Sequence, residues 1–389
     1  MSANALIVHG GAPTAVINAS LYGAICEAKR HPEIKGFYAA SGGAGAIVRE
    51  EFIDLFSIPE ATLELLPGTP ASAIGTSRDP LLEEDYDGIA RVLKRRDIRY
   101  VFFTGGNGSM DACGKVHQAC QRAGIGISVV GIPKTIDNDL AVTDHAPGFG
   151  SAARYLAATV SEVSQDILAL PIHVCVLETM GRNAGWLTAA SALARSGNGD
   201  GPDLICLPER AFDEDQFLAD IERLRSRKSG ILVVASEGLR DKDGKPIVEP
   251  VFQAGRAVYY GDVGAHLANL IIKKLGIKAR SEKPGICGRA SIAFQSQVDR
   301  EEAVLAGREA VKAAVRGETG VMVGFERTAG EEYRVRTILI PVEQVMLNER
   351  VLPAAYINQE GNDVTDAFVN WCRPLLGAPL RSFARLRNM

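Results

Sequence analysis

Residues 101–140 read VFFTGGNGSMDACGKVHQACQRAGIGISVVGIPKTIDNDL. Two short apolar runs, VFFT and ISVVGIP, flank a stretch whose apolar residues recur at helical spacing. An almost wholly apolar strand, a helix and a second such strand are typical of a parallel sheet that helices cover on both faces. Each run ends in a polar loop, GGNGS after the first and PKTIDND after the second. In such sheets, ligands bind beyond the carboxyl ends of the strands.

The same alternation of apolar runs and amphipathic stretches extends over most of the chain. ALIVHGG, EIKGFYAA and IRYVFFTGG predict strands in the first part, and HVCVLETMG, DLICLPE and ILVVASEG predict strands in the second. Helical spacing predicts helices over residues 14–30 and 183–197, among others. We therefore predict an α/β protein with two doubly wound, mainly parallel-sheet domains and a ligand cleft between them.

A length of 389 residues suits two domains of about 100–200 residues each. We assign residues 1–150 to a first domain that carries the glycine-rich loops and is completed by about residues 260–300. Residues 151–259 and 301–389 then form the second domain with a C-terminal appendage, in which residues 321–345 predict strand and loop.

Composition excludes several classes of protein. The net charge is −4, so the chain lacks the positive charge that a nucleic acid or an anionic membrane surface attracts. No apolar run approaches the ~20 residues that span a bilayer, and MSANALIVHGG does not resemble a secretory signal. Seven cysteines without a CxxC pair favour reduced thiols in a cytoplasmic protein over disulfides or a zinc site.

Two glycine-bearing loops suit a phosphate-rich ligand. VHGGAPTAVIN and GGNGS each precede a predicted helix, so glycine permits close backbone approach and the first helical N–H groups can bind an anion. Each loop alone is equally consistent with an ordinary turn, but two on neighbouring strands favour one polyphosphate. Arg78 in AIGTSRDP could neutralise phosphate oxygens, although a lone arginine is more often a solvated surface residue.

The PKTIDND loop carries the residue types that phosphoryl transfer needs: a base, positive charge and a metal-binding acid. In an extended loop, Asp137 and Asp139 would point to opposite sides, so one could serve the attacking hydroxyl and the other a metal ion. Lys134 could supply positive charge to the transferred group, and Thr135 could hydrogen-bond the acceptor oxygen. The alternative is an acid-rich turn with a surface lysine.

Three further loops suit a sugar phosphate. ETMGRNAGW exposes backbone at Met180 and Gly181 and places Arg182 before a predicted helix. Glu237, just after a strand, could accept hydrogen bonds from sugar hydroxyls, although it could equally be a solvated loop acid. KARSEKPGICGRAS, residues 278–291, contains Lys278, Arg280, Lys283 and Arg289. This basic stretch suits a phosphomonoester, and a solvated basic face is the alternative.

These motifs, in this order and over roughly residues 5–325, resemble those of the 6-phosphofructokinases. TDHAPGFGSAARY and PDLICLPE are similar to the bacterial pyrophosphate-dependent branch of that family. The resemblance implies transfer of a phosphoryl group to the 1-hydroxyl of fructose 6-phosphate, which gives fructose 1,6-bisphosphate in glycolysis, with Mg²⁺ as cofactor. It also implies a homodimer or homotetramer without a nucleic-acid or membrane partner.

The resemblance assigns roles to individual residues. Asp137 would take the proton from the sugar hydroxyl, Lys134 would stabilise the transferring group and Thr135 would contact the hydroxyl. The residues that would bind the donor are Gly11, Arg78, Asn107, Gly108 and Ser109. Those that would bind the sugar phosphate are Thr135, Asp137, Met180, Gly181, Arg182, Glu237, Arg280 and Arg289. Magnesium would be bound by Asn107 and Asp139. Arg280 would reach in from a neighbouring subunit.

Two positions bear on the identity of the phosphoryl donor, and they disagree. Glycine at 108 is similar to the ATP-dependent enzymes, because the aspartate of most pyrophosphate users would occupy and repel the region of a nucleotide α-phosphate. Lysine at 134 is similar to the pyrophosphate users. We favour pyrophosphate, with ATP as the alternative. Asn107 replaces an aspartate that helps to hold magnesium in ATP users, so we expect weaker metal binding.

Two other classes of function remain open at this point. The missing acids at 107 and 108 favour a non-catalytic regulatory subunit that binds sugar phosphate, but the intact loop at 134–139 argues against it. His173 and Ile286 replace residues that hold the sugar phosphate in many ATP-dependent relatives, which leaves the acceptor open. A dinucleotide-binding oxidoreductase is a weaker alternative, because the first strand–helix–strand unit lacks the GxGxxG pattern with a downstream acid.

Overall fold

The structure is a computed structural model that describes residues 2–78, 80–170, 173–197, 199–254, 257–330 and 332–384. The chain divides into two compact units. Unit 1 consists of Met1–Ser151 and Arg289–Arg350, and unit 2 consists of Ala152–Gly288 and Val351–Met389. None of the helices that the structure describes combines the length and the apolar character needed to cross a membrane.

In chain order, the strands are β1 (Ala3–His9), β2 (Ile34–Ala40), β3 (Phe52–Asp54), β4 (Ile98–Gly105), β5 (Ser128–Pro133), β6 (His173–Thr179), β7 (Leu204–Cys206), β8 (Gly230–Ser236), β9 (Pro250–Ala254), β10 (Ala257–Tyr260), β11 (Ala279–Glu282), β12 (Val321–Arg327) and β13 (Val335–Pro341). The α-helices are α1 (Ile17–Ala28), α2 (Gly45–Arg49), α3 (Glu60–Leu63), α4 (Glu83–Arg95), α5 (Asn107–Arg122), α6 (Phe149–Ala169), α7 (Trp186–Ala190), α8 (Glu214–Arg225), α9 (Val263–Leu275), α10 (Ile286–Ala290), α11 (Gln297–Val315) and α12 (Asp366–Cys372).

Unit 1 is built around a seven-stranded sheet in the order β13-β12-β5-β4-β1-β2-β3. All neighbouring pairs are parallel except β12–β13 and β2–β3, which are antiparallel. The register places His9 opposite Thr104 and Thr104 opposite Ile132. The carboxyl ends of β1, β4 and β5 are therefore level, and the three loops that follow them begin at one edge of the sheet.

Helices cover both faces of this sheet. One face buries apolar residues of α4 and α5, such as Leu93 and Val116, and the other buries residues of α1 and α11, such as Ile25 and Ala310. Helices α1 and α11 approach unusually closely, because a Cβ atom on Gly23 would overlap the backbone carbonyl oxygen of Val304. Burial on both faces explains why the strands are almost wholly apolar.

Unit 2 contains a four-stranded parallel sheet in the order β11-β6-β8-β7. Val174, Val176 and Val233 pack one face of this sheet against α8 and α9. Thr179 lies opposite Ser236, so the loops after β6 and β8 begin side by side. A two-stranded antiparallel ribbon, β9–β10, and α12 complete the unit.

The predicted fold class, α/β with mainly parallel sheets, is confirmed. The predicted division of the chain needs correction in its second half. Residues 301–350 belong to unit 1, because α11 packs along α1 and β12 and β13 extend the sheet beyond β5. Residues 260–288 belong to unit 2, because α9 and β11 pack on β6.

Two predicted helices are shorter than the sequence suggested. The helix predicted over residues 14–30 begins at Ile17, and the residues before it form the loop after β1. The helix predicted over residues 183–197 is reduced to α7 and a 3-10 turn at Ser191–Ala194. Helix α7 starts late because the Gly185 N–H donates to the Glu209 carboxylate at 2.7 Å, which anchors the preceding residues as a loop.

Candidate active site

The two glycine-bearing loops of unit 1 pack directly against each other. A Cβ atom on Gly10 or on Gly105 would overlap the Ser109 side chain, so both positions require glycine. The Gly11 N–H donates to the carbonyl oxygen of Ser77 at 2.9 Å, which brings the segment of Arg78 next to the first loop. Four of the predicted donor residues, Gly11, Arg78, Gly108 and Ser109, are therefore held on adjoining backbone.

Lys134 lies buried beneath the first glycine loop and is only 3% exposed. Its Nζ donates to the carbonyl oxygens of Gly10 at 3.0 Å and of Ala12 at 2.6 Å. Gly11, between these two carbonyls, has a φ of +72°, a conformation that favours glycine. Because an ammonium group has three N–H donors, two bonds to the protein leave one for a ligand.

Four charged side chains come together around this lysine. Burial lowers the pKa of Lys134 to about 8, Asp137 and Asp139 oppose that shift, and Arg289 and Arg78 reinforce it. Burial also lowers the pKa of Arg289, which Arg78 lowers further and Asp137 opposes. Three cations near two carboxylates can compensate a highly charged phosphate donor while a carboxylate remains to accept a proton.

The PKTIDND loop is a compact turn, and the expectation of an extended loop was wrong. The Thr135 hydroxyl accepts the Asp137 N–H at 3.0 Å and donates to Asp139 Oδ1 at 3.1 Å. Asn138 has a φ of +53°, and its Oδ1 accepts the Ala146 N–H at 3.0 Å. The loop curls back because the threonine side chain replaces backbone partners, as in other local side-chain turns.

Asn107, at the first position of α5, is connected to the same loop. Its Nδ2 donates to Asp139 Oδ2 at 2.8 Å, and its buried Oδ1 has no hydrogen-bond partner among the described residues. The part of the chain that the structure describes holds no group of three or more His, Cys, Asp or Glu side chains suited to a metal. An amide oxygen and one carboxylate nevertheless match magnesium, which takes few protein ligands beside phosphates and water.

Gly108 faces open space at the start of α5. Apart from its chain neighbours and the α5 backbone, no atom of the described residues lies within 4 Å of the position that a Cβ atom would occupy. A larger side chain would therefore find room at this position.

The sequence analysis missed several buried polar residues behind these loops. Burial, and then Lys134, lowers the pKa of His9 to about 3, so the imidazole is neutral and its Nδ1 lies 2.8 Å from Ser72 Oγ. Asp299 on α11 accepts the N–H groups of Gly148 and Ser151 at 2.8 Å each. The available signal was a polar residue within an apolar strand or helix face, as with histidine in ALIVHGG.

In unit 2, the loops after β6 and β8 also pack directly against each other. The Ser236 hydroxyl donates to the carbonyl oxygen of Gly181 at 2.9 Å, and Gly181 has a φ of +107°. A Cβ atom on Gly238 would overlap the carbonyl oxygen of Arg182. The backbone of the predicted sugar-binding residues Met180, Gly181 and Arg182 is therefore fixed against the segment of Glu237.

Glu237 stands among charged groups of both signs. Burial raises its pKa, Arg182 and Lys283 oppose the shift, and Glu178 adds to it. Lys283 Nζ in turn contacts Glu178 Oε1 at 2.7 Å and Asp262 Oδ1 at 2.6 Å. Glu178 and Asp262 were not predicted as site residues, although Glu178 lies next to the end of β6, the apolar strand that precedes Met180.

Arg280 has an acidic partner of its own. It pairs with Glu282, whose Oε1 is 3.0 Å from Arg280 Nε, and from β11 it lies opposite Cys175 of β6. Both arginine and glutamate line a cavity of about 420 Å³ together with Tyr155 and other residues of α6. Arg289, the other predicted phosphate ligand, belongs to unit 1.

Comparisons with known proteins bear on the family of the chain. A family model described as Phosphofructokinase matches residues 4–314. The pyrophosphate–fructose 6-phosphate 1-phosphotransferase of Rhodospirillum rubrum is 40% identical over 98% of this chain and 96% of its own. The sulfofructose kinase of Alkalicoccus urumqiensis is 32% identical over 96% of this chain and 95% of its own.

A solved structure gives the same result. The pyrophosphate-dependent phosphofructokinase from Nitrosospira multiformis has a TM-score of 0.90 and 33% sequence identity, and the match covers 100% of this chain and 95% of that one. The chain therefore belongs to the phosphofructokinase family, as its motifs indicated.

Proposed function

We propose that this protein is a cytoplasmic enzyme that transfers a phosphoryl group from pyrophosphate to the 1-hydroxyl of fructose 6-phosphate, which gives fructose 1,6-bisphosphate. The observation that carries the proposal is the environment of Lys134, a buried ammonium beside Asp137, Asp139, Arg78 and Arg289. These charges can stabilise a transferring phosphoryl group from either donor, so the choice of pyrophosphate rests on the relatives. The name of the Rhodospirillum rubrum relative supports the same donor and acceptor.

The reaction would proceed by in-line displacement. The sugar oxygen O1 attacks phosphorus, its proton passes to Asp137, and the bond to the bridging oxygen breaks so that orthophosphate leaves. Lys134 and Arg78 compensate the charge of the phosphoryl oxygens, and Thr135 orients the attacking hydroxyl. Gly11, Gly108 and Ser109 hold the donor through the loop backbone and the first turn of α5.

The acceptor would be held by residues from several loops. Met180, Gly181 and Arg182 contact the sugar, and Glu237 accepts hydrogen bonds from its hydroxyls. Arg289 binds the 6-phosphate, because a guanidinium suits a phosphomonoester. We further propose a homodimer or homotetramer, in which Arg280 reaches the acceptor bound to a neighbouring subunit.

Magnesium is part of this proposal. Asn107 Oδ1 and Asp139 would hold the ion together with donor oxygens and water. When bound, it would neutralise charge on the donor. The Asn107–Asp139 hydrogen bond keeps the two side chains adjacent, and it leaves the Asn107 oxygen without another partner among the described residues.

ATP is the second candidate donor. The open space at Gly108 supports it, since a nucleotide α-phosphate needs room and no opposing charge there. The acceptor is a separate question, because one relative that matches over nearly its whole length is named a sulfofructose kinase.

The deciding experiment is an assay of the purified protein with fructose 6-phosphate and Mg²⁺, in which pyrophosphate and ATP are compared side by side. Turnover with pyrophosphate supports the proposal, and turnover with ATP alone would replace the donor. Turnover with neither, together with calorimetric binding of fructose 6-phosphate, would favour a non-catalytic regulatory subunit instead.

A further inference from the structure

The loop between β6 and α7 has an exposed tip and buried ends. Arg182 and Asn183 are exposed, whereas Gly181, Ala184 and Gly185 are buried. The first end is tied to β8 through Ser236, as described above. A loop whose tip binds a ligand gains affinity when both of its ends are fixed before the ligand arrives.

Glu209 fixes the second end. Its Oε1 accepts the N–H of Gly185 at 2.7 Å and also the N–H of Leu352 at 2.8 Å, so one oxygen joins the loop to the C-terminal segment. Its Oε2 lies so close to the loop that a Cβ atom on Gly185 would be 2.5 Å away. Burial raises the pKa of Glu209, and the hydrogen bonds from Gly185 and Leu352 favour the carboxylate and oppose that shift.

The C-terminal segment also packs against the residue that follows Gly185. The Trp186 ring centroid is 4.9 Å from that of Trp371, 6.0 Å from that of Tyr356 and 6.4 Å from that of Phe368. Trp186 is 2% exposed. Aromatic pairs of this kind are rigid and bury a large apolar area, so they limit movement of the start of α7.

We propose that Glu209 is a positioning residue for the acceptor-binding loop Met180–Gly185, and that residues 352–371 are a brace that holds this loop from behind. The inference rests on the proposed function, because it takes Met180, Gly181 and Arg182 as sugar ligands. It gives the C-terminal segment a role in acceptor affinity, since Glu209 and Trp186 connect that segment to the loop.

The test compares two substitutions of Glu209. Glu209→Ala removes the oxygen that accepts both N–H groups, and Glu209→Gln keeps an oxygen at the same distance. Glu209→Ala should raise the KM for fructose 6-phosphate about tenfold or more, with the donor KM within about twofold of wild type. Glu209→Gln should restore the acceptor KM to within about threefold of wild type. A merely structural role would lower the active fraction and leave both KM values unchanged.

A matched control separates the contacts that join the brace to the loop from the other contacts of the brace. Asp363 Oδ1 lies 3.0 Å from Arg195 Nη2 and anchors the same segment without touching the loop. Asp363→Asn should leave both KM values unchanged. If Glu209→Ala does not fold, Tyr356→Leu takes its place, because it removes an aromatic contact of Trp186, and it should raise the acceptor KM about threefold.

Intrinsic fluorescence gives a readout that does not need turnover. The sequence contains two tryptophans, Trp186 and Trp371, and both lie in the brace contact. Fructose 6-phosphate should shift the tryptophan emission of the wild type, and Glu209→Ala should raise the Kd from this titration in parallel with KM.

The outcomes of the two measurements are distinguishable. An active wild type with an unchanged acceptor KM and Kd in Glu209→Ala overturns the brace and leaves the proposed function intact. A wild type that binds fructose 6-phosphate with the emission shift but does not turn over overturns the proposed function, and a raised Kd in Glu209→Ala then still supports the brace. An acceptor and a donor KM that rise equally in Glu209→Ala also overturn the brace.

Discussion

His145 Nε2 lies 2.6 Å from Glu302 Oε2 in the interior of unit 1, and His145 Nδ1 lies 2.9 Å from Asp144 Oδ2. The His145 side chain is 1% exposed, and its ring stacks on that of Phe325 with centroids 5.3 Å apart. Burial alone would lower the pKa of His145, but the charges and hydrogen bonds of the two carboxylates outweigh it and raise the pKa to about 9. The imidazole is therefore protonated at neutral pH.

This ion pair lies close in sequence to a residue that supports the loop of Thr135 and Asp137. Pro147, two residues after His145, accepts the Thr135 N–H at 3.1 Å. Glu302→Gln should lower the free energy of unfolding by about 3 kcal/mol at pH 7, because it leaves a buried imidazolium with one carboxylate fewer. Urea unfolding of both proteins measures the difference.

The His145–Glu302 ion pair makes the stability difference between wild type and Glu302→Gln depend on pH. The His145 pKa in the folded protein lies above its unfolded value of 6.5, so the stabilisation is complete below pH 6.5 and is lost as pH rises through about 9. The gap between wild type and Glu302→Gln should shrink between pH 7 and pH 10. Glu326→Gln, which breaks an exposed pair with Arg336, is the control and should change stability by less than about 1 kcal/mol. A gap that is constant with pH would contradict the assignment.

Asp137 is the proposed base, and its removal tests the chemistry directly. Asp137→Asn keeps the shape of the side chain but cannot accept the proton, so kcat should fall by about 10²–10⁴ while the acceptor KM changes by only a few-fold. Steady-state kinetics with the preferred donor measure both. Asp97→Asn, which removes an exposed ion pair with Lys35, should leave kcat unchanged. Near-normal turnover in Asp137→Asn would refute the role.

Lys134 should give the reaction an alkaline limit. Because burial lowers its pKa to about 8, the free enzyme loses this positive charge as pH rises through 8, and kcat/KM for pyrophosphate should fall there. Lys134→Met should lower kcat about 10²–10³-fold, and its kcat/KM should no longer fall as pH rises through 8. A profile from pH 6.5 to 9.5 for both proteins checks this. A wild-type profile that stays flat up to pH 9.5 would exclude Lys134 as the titrating group.

Gly108 separates the two candidate donors. Gly108→Asp should suppress turnover with ATP, or the inhibition of the pyrophosphate reaction by ATP, because the new carboxylate repels an α-phosphate. The rate with pyrophosphate should stay within about threefold of the wild-type rate. No clash is expected, since the position faces open space. Gly108→Asn has the same size without the charge, so it shows how much of the effect is electrostatic. Equal losses with both donors would contradict the discrimination.

Gly23 tests the contact between α1 and α11. Gly23→Ala should destabilise the protein by about 1–3 kcal/mol or more, because the added methyl group meets the carbonyl of Val304. Gly88→Ala, in the interior of α4, should stabilise by about 0.5–1 kcal/mol, because the nearest side-chain atom among the described residues, Arg91 Nη2, is 3.7 Å from the new methyl. Thermal or urea unfolding compares them, and similar effects of the two substitutions would show that the helices can separate.

The sequence predicted those parts of the molecule that local patterns determine. Apolar runs identified the strands, and glycine-rich or charged loops at their ends identified the segments around Gly11, Gly108, Lys134 and Gly181. These patterns work because parallel strands buried on both faces are continuously apolar and because loops at their carboxyl ends are polar.

Long-range contacts could not be predicted in the same way. The packing of Gly10 on Ser109 depends on the register between β1 and β4, and the bond from Glu209 to Gly185 joins residues that are 24 apart. The return of α11 to unit 1 was missed because its helical pattern is the same whichever sheet it covers. The loop after β5 turns because the Thr135 hydroxyl makes local hydrogen bonds in place of backbone partners. A prediction from alternating side-chain direction does not reveal such bonds.

The order in which the chain is synthesised gives the composition of unit 1 a further meaning. Strand β12 pairs with β5, and α11 lies against α1, yet more than a hundred residues of unit 2 separate these partners in the chain. During translation, the sheet that carries Lys134 and Asp137 therefore stays incomplete until β12 and β13 have left the ribosome. Chaperones that shield apolar strand edges would thus meet the amino-terminal half long before it can bury its own core.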